Sequence, residues 1–155
     1  MFFNLEAAAG EWFPFMGSHI DPDTGKTIFE DPAPDARVQV RPIAPFIEER
    51  TAKRKRVAEF VLNPTTRAME RLTHPADLTP EEARAERDDL IDYTILAWEN
   101  FKDSRTGEVI ECTRENKLKL AQLPVFDRFI GRCWQLLADS AGQVREQEEK
   151  NLPAG

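Results

Sequence analysis

Apolar and polar residues alternate most cleanly over "RVQVR", Arg37 to Arg41. Val38 and Val40 face one way, and Arg37, Gln39 and Arg41 face the other, which predicts a half-buried strand. "EWFPFMG", Glu11 to Gly17, is also β-prone, but Pro14 confines it to a sheet edge or an irregular extended piece. "HIDPDTG" then reads as a turn in which Gly25 takes a positive φ without steric cost. "KTIFE" follows as a short strand that pairs back as a hairpin. The first 42 residues therefore predict three short strands in one small antiparallel sheet.

Beyond Pro42 the pattern becomes helical. Pro45 suits the first turn of a helix over Phe46 to Leu62. Its apolar residues sit at its two ends, and its middle is almost entirely charged. "NPTTRAMERL" predicts a second short helix after the break at Pro64. Thr79, Pro80 and Glu82 form a capping box for a helix running to about Phe101. Leu90, Ile91, Thr94, Ala97, Trp98 and Phe101 make its apolar stripe. Thr113 caps "RENKLKLAQL". Pro124 opens the last helix, whose stripe includes Phe126, Phe129, Ile130, Cys133 and Leu137. The expected fold is α+β: a small N-terminal antiparallel sheet packed against a bundle of four to five helices. One domain is expected over residues 1–142, with a strand- and turn-rich part at 1–42 and a helical part at 43–142. Residues 143–155 are expected to be a polar, flexible tail.

Composition supports a real core. The chain has 155 residues, 41% of them hydrophobic, with three Trp and ten Phe. The net charge of −7 favours solubility and disfavours nonspecific binding to a phosphate backbone. No apolar run is long enough for a membrane helix, and the N-terminus lacks the positive region of a signal peptide. Cys112 and Cys133, without such a peptide, read as reduced cytosolic thiols.

Specific chemistry is sparse. "DPDTGK" resembles the start of a calcium loop, but Gly25 falls one position early and Pro32 stands where the bidentate Glu belongs. No His or Cys pair has zinc spacing. There is no nucleophile elbow and no phosphate-binding glycine loop. Cys133 falls on an apolar stripe, as an inert thiol would. Cys112 lies just before a helix N-terminus, where the dipole could lower its pKa. "KRKR", Lys53 to Arg56, reads as a solvated helix face with i,i+4 pairs such as Glu49–Lys53. Its neighbours Glu48, Glu49 and Glu59, and the lack of an aromatic platform, argue against nucleic acid. The stronger signal is apolar: Phe2, Phe3, Trp12, Phe13, Phe15 and Met16. They form either a partner site or a cap over the helical core.

The stretch "DYTILAWENFKDSRTGEVIECTRENKLKLAQLPVFDRFI", Asp92 to Ile130, resembles the tail assembly chaperones of long-tailed bacteriophages and prophages. A helix ending in Trp98, an Asp103/Gly107 turn, "TRENK" and "PVFDRFI" carry the likeness, which extends over about residues 36–138. The resemblance implies a non-enzymatic protein with no cofactor and no catalytic or metal site. It implies binding of the tape measure protein in the cytoplasm of the bacterial host, with the tail tube protein as a second partner. Neither nucleic acid nor membrane is an expected partner, and self-assembly is allowed. Such chaperones are often made in two lengths by a programmed frameshift, and residues from Gln143 would be where an extension joins. The expected partner-binding residues are Trp12, Phe13, Phe15, Met16, Trp98 and Phe126. Two rivals remain: a tail or neck component retained in the virion, and a small thiol enzyme using Cys112.

Overall fold

Val38 and Val40 are wholly buried, and the strand that carries them is the middle of a three-stranded antiparallel sheet. The structure, a computed structural model, describes residues 10–150, with side chains described through residue 142. Its elements in chain order are β1 (Glu11–Pro14), β2 (Ser18–Ile20), β3 (Thr27–Phe29), β4 (Arg37–Val40), α1 (Ala44–Lys53), β5 (Arg56–Leu62), β6 (Met69–Pro75), α2 (Pro80–Thr94), β7 (Ile95–Glu99), α3 (Arg114–Ala121) and α4 (Pro124–Lys150). The fold is α+β, with four helices and three small antiparallel sheets among the described residues. The chain divides into two compact units: Ala44–Arg87, and Met1–Ile43 with Asp88–Gly155.

In the larger unit β4 lies between β1 and β7. Phe13 sits opposite Val38, Val38 opposite Trp98, and Val40 opposite Ile95. Ile95 and Trp98 are an odd number of residues apart, so a regular strand would face them oppositely. A register shift between Gln39 and Val40 lets both turn inward. Onto this face α4 lays Phe126, Phe129, Ile130, Cys133 and Leu137, spaced as one helical stripe. Phe15 fills the edge of the core, meeting Phe129 at 5.0 Å and Phe101 at 5.6 Å, both edge to face. The β2–β3 hairpin is held separately. Arg128 of α4 donates to the Ser18 hydroxyl at 2.7 Å and to its carbonyl at 3.1 Å.

Two buried polar contacts tie the elements of the larger unit together. The Thr94 hydroxyl donates to the Arg41 carbonyl at 2.8 Å and accepts from Trp134 Nε1 at 2.8 Å. Lys117 of α3 is buried, yet its ammonium donates to the carboxylate and the carbonyl of Asp92, each at 3.1 Å. Arg114 completes the cluster by pairing with Asp89 and Asp92.

Three expectations are corrected. The N-terminal strands do not form one sheet, because β4 pairs with β1 and β7 while β2 and β3 pair apart. The helix expected to reach Phe101 ends at Thr94, because Ile95 to Glu99 gain an edge position beside β4 that buries Ile95 and Trp98. The helix expected over Phe46 to Leu62 ends at Lys53. Arg56–Leu62 and Met69–Pro75, the latter overlapping the predicted second helix, form an antiparallel hairpin instead. "RVAEFVL" is rich in β-branched and aromatic residues, and cross-strand pairing outweighs a weakly apolar helix. Helix starts fared as expected: Thr79 Oγ1 accepts from the Glu82 amide at 3.2 Å, and Thr113 Oγ1 from the Asn116 amide at 3.3 Å. Phe2 and Phe3 lie outside the described residues, as do the side chains of the expected polar tail.

One turn is used three times. In "DPDTGK", the Asp21 carbonyl accepts from Gly25, the Asp21 amide donates to Lys26, and the Asp21 carboxylate accepts from the Asp23 amide. "DSRTGE" repeats this with Asp103, Gly107, Glu108 and Arg105. The third copy, "NPTTRA", is the β5–β6 connection, with Asn63, Arg67, Ala68 and Thr65 in the same roles. The fifth residue is left-handed in each case: φ is 70° at Gly25, 71° at Gly107 and 57° at Arg67. An L side chain there costs roughly 1 kcal/mol or more, which glycine avoids. Arg67→Gly should therefore raise stability by about 1 kcal/mol, read as a higher denaturation midpoint with an unchanged slope. A neutral or lower midpoint would mean that the Arg67 side chain holds the turn by contacts that outweigh its backbone strain.

Candidate functional site

Three kinds of surface could carry function: the thiols, the grooves, and the exposed apolar residues. Among the described residues no cluster of His, Cys, Asp and Glu could hold a metal ion, and no helix is long and apolar enough to cross a membrane.

Cys133 is buried on the inner stripe of α4, and that burial pushes its thiol up to about 12. Cys112 is half-buried between the Asp103–Gly107 turn and α3. Burial raises its pKa as well, and the nearby Lys117 ammonium only partly offsets this. Thr113, not Cys112, occupies the cap of α3, and it is the Thr113 hydroxyl that accepts from the Asn116 amide. Both thiols are therefore held in the protonated, weakly nucleophilic form at neutral pH. The two histidines face carboxylates instead, His19 against Glu30 at 3.8 Å and His74 against Glu59 at 3.6 Å.

Two open grooves lie on the surface. One, of about 420 Å³, runs beside Trp12, Pro14, Pro34 and Arg37. Arg37 lies 4.3 Å over the Trp12 ring and makes a two-pronged bond to Glu99, at 2.7 and 3.1 Å. Those bonds hold the Glu99 carboxyl below its ordinary range and the guanidinium above its own. The other groove, of about 340 Å³, lies in the smaller unit between the end of α1 and the start of α2. Its walls mix Lys53 and Lys55 with Asp77, Glu82 and Glu86. Three residues of the basic run have partners: Lys53 bonds Glu49 at 2.7 Å, Arg54 bonds Glu86 at 2.9 Å, and Arg56 donates to the Thr73 carbonyl at 2.8 Å.

The residues expected to bind a partner mostly turn inward. Trp98 and Phe126 are buried in the core, and Phe13, Phe15 and Met16 pack against it partly buried. The Trp98 indole nitrogen donates to the Ile110 carbonyl at 2.7 Å, which ties the Asp103–Gly107 turn to the sheet. Trp12 remains at the surface at 36% exposure, under Arg37.

The exposed apolar surface is instead the β5–β6 hairpin, which sequence reasoning read as helix. Phe60 is 65% exposed, Leu62 57%, Met69 63% and Leu72 50%, and Val57 and Val61 are exposed too. A two-stranded hairpin in water is marginal without a second layer, so this is an element that wants a cover. The signal was present in the sequence. "NPTTRA" shares its Asx and Thr positions with "DPDTGK" and "DSRTGE", and differs by carrying Arg67 where they have glycine.

Comparison of the chain with protein-family models, with curated proteins and with solved structures finds no match.

The buried thiol sets a pH dependence. Cys133 stays protonated in the fold while an unfolded thiol ionises near 8.5, so the fold's advantage is complete below that pH and is lost as pH rises toward about 12. Wild-type stability should fall faster than that of Cys133→Ala above about pH 9, by up to ~1.4 kcal/mol per pH unit. Denaturant midpoints across pH 7 to 10 test this, and parallel curves would show Cys133 ionising freely within the fold.

Proposed function

We propose that this chain is a non-enzymatic binding protein, a tail assembly chaperone of a long-tailed phage or prophage. It acts in the cytoplasm of the bacterial host. Its client is the tape measure protein, which it keeps soluble until tail tube subunits polymerise around it. The observation that carries the reading is the β5–β6 hairpin, whose Phe60, Leu62, Met69 and Leu72 are half exposed or more. A holdase needs apolar surface offered to a client, mounted on a charged and soluble body. The net charge of −7 meets the second need. The resemblance over Asp92 to Ile130 supplies the client's identity.

Protonated thiols favour binding over thiol chemistry. The hairpin replaces the inward-turned aromatics as the binding surface. Exposed strands offer a client both apolar side chains and unpaired backbone at their edges.

Co-expression with the tape measure protein of the same tail should raise that protein's soluble fraction severalfold. The double variant Phe60→Ser with Met69→Ser should lose most of this effect. Both side chains are solvent-exposed, and circular dichroism checks that the hairpin of the double variant still forms. An unchanged soluble fraction with wild-type chaperone removes the reading. A fully active double variant moves the binding surface elsewhere.

A further inference from the structure

The two faces of the hairpin differ in charge, and the pairing register shows how. Opposite residues share a face, so Ala58, Phe60 and Leu62 project with Thr73, Arg71 and Met69. The charged residues on that face, Arg56 and Arg71, are both basic. Val57, Glu59 and Val61 project on the other face with His74, Leu72 and Glu70. Its carboxylates, Glu59 and Glu70, make that face acidic. Side-chain contacts agree with this division. Arg56 bonds Thr73 on the first face, while Asn63 Nδ2 bonds Glu70 at 2.6 Å and His74 approaches Glu59 at 3.6 Å on the second.

Each face thus carries three large apolar residues and two charges, with opposite sign on the two faces. We infer that the hairpin's cover, in the absence of a client, is the hairpin of a second copy of this chain, with the basic face of one copy stacked on the acidic face of the next. Stacking like on like would set Arg71 against Arg71, or Glu59 against Glu70, in a drying interface, which charge repulsion opposes. Stacking unlike faces joins the apolar trios and pairs the charges around them.

Such a contact is heterologous, so it leaves one unused face at each end and does not close at two copies. It is also small. Seven-residue strands give a face about 23 Å long and about 10 Å wide. That is well under the ~800 Å² per partner of a standard interface, so the association is weak, reversible and concentration-dependent. It hides the apolar surface when no client is present and yields when one arrives. The inference stands on the hairpin alone and does not depend on the client's identity.

Sedimentation velocity of the full chain over a concentration series tests it. The average mass should rise with concentration beyond that of a dimer, and should fall back at high salt. Arg71→Glu neutralises the basic face and Glu59→Arg neutralises the acidic face. Each variant alone should associate roughly fivefold more weakly, about the worth of one lost ion pair. Their mixture restores one wild-type junction, basic face of the Glu59→Arg chain on acidic face of the Arg71→Glu chain, and should form one-to-one pairs. Circular dichroism confirms that both variants are folded. A monomer at every concentration overturns the inference. So does assembly that stops at a dimer, or a mixture no more associated than its components. None of these outcomes bears on client solubility in co-expression, so the two proposals fail separately.

Discussion

The larger unit depends on a buried threonine. Thr94 ends α2 and precedes β7, and its hydroxyl is wholly removed from solvent. It donates to the Arg41 carbonyl just beyond β4 and accepts from the Trp134 indole of α4, while its own carbonyl accepts from the Arg41 amide at 2.9 Å. Three elements distant in sequence meet at one side chain. A buried hydroxyl without both partners would carry a desolvation penalty on the order of 1–3 kcal/mol, so the junction admits little slack. From it follow the turn from helix to strand, the register of β7 on β4, and the depth at which α4 lies on the sheet. Arg41 reinforces the same corner by donating to the Tyr93 carbonyl at 2.6 Å and stacking 3.7 Å from the Tyr93 ring.

Local rules and long-range pairing divide the rest of the structure. The Asx turns at Asp21, Asn63 and Asp103 close three β connections with side-chain and backbone bonds contained within six residues. They need no tertiary support, which is why "DPDTGK" and "DSRTGE" were readable as turns. The third turn was missed because Arg67 occupies the left-handed position that glycine fills in the other two. Without that turn, Arg56 to Leu62 and Asn63 to Leu72 read as helix.

That misreading hid the candidate site. The aromatics singled out in the sequence were real anchors, but anchors of the core: Phe15, Trp98 and Phe126 face one another rather than solvent. Aromatic content alone does not tell burial from display, because the same residue types serve both. The hairpin differs in kind. Its apolar residues occupy both faces of a two-stranded sheet, which leaves no inner side on which to hide them. Cys112, the residue most able to suggest an enzyme, is set back by burial and by a cap that belongs to its neighbour.

The sequence was sufficient wherever the decisive interaction is local. The alternation over Arg37 to Val40, the threonine caps of α2 and α3, the proline start and apolar stripe of α4, and two of the three turns are all set within a few residues. It was insufficient wherever a segment's state depends on a distant strand. Ile95 to Glu99 continue a helical stripe in sequence, yet become a strand because β4, more than fifty residues earlier, offers an open edge and a buried face. Arg56 to Leu62 become a strand because Met69 to Pro75 fold back along them. Hydrogen bonds across such separations leave no period in the local pattern, so the fold assigns those residues, and with them the exposed hairpin.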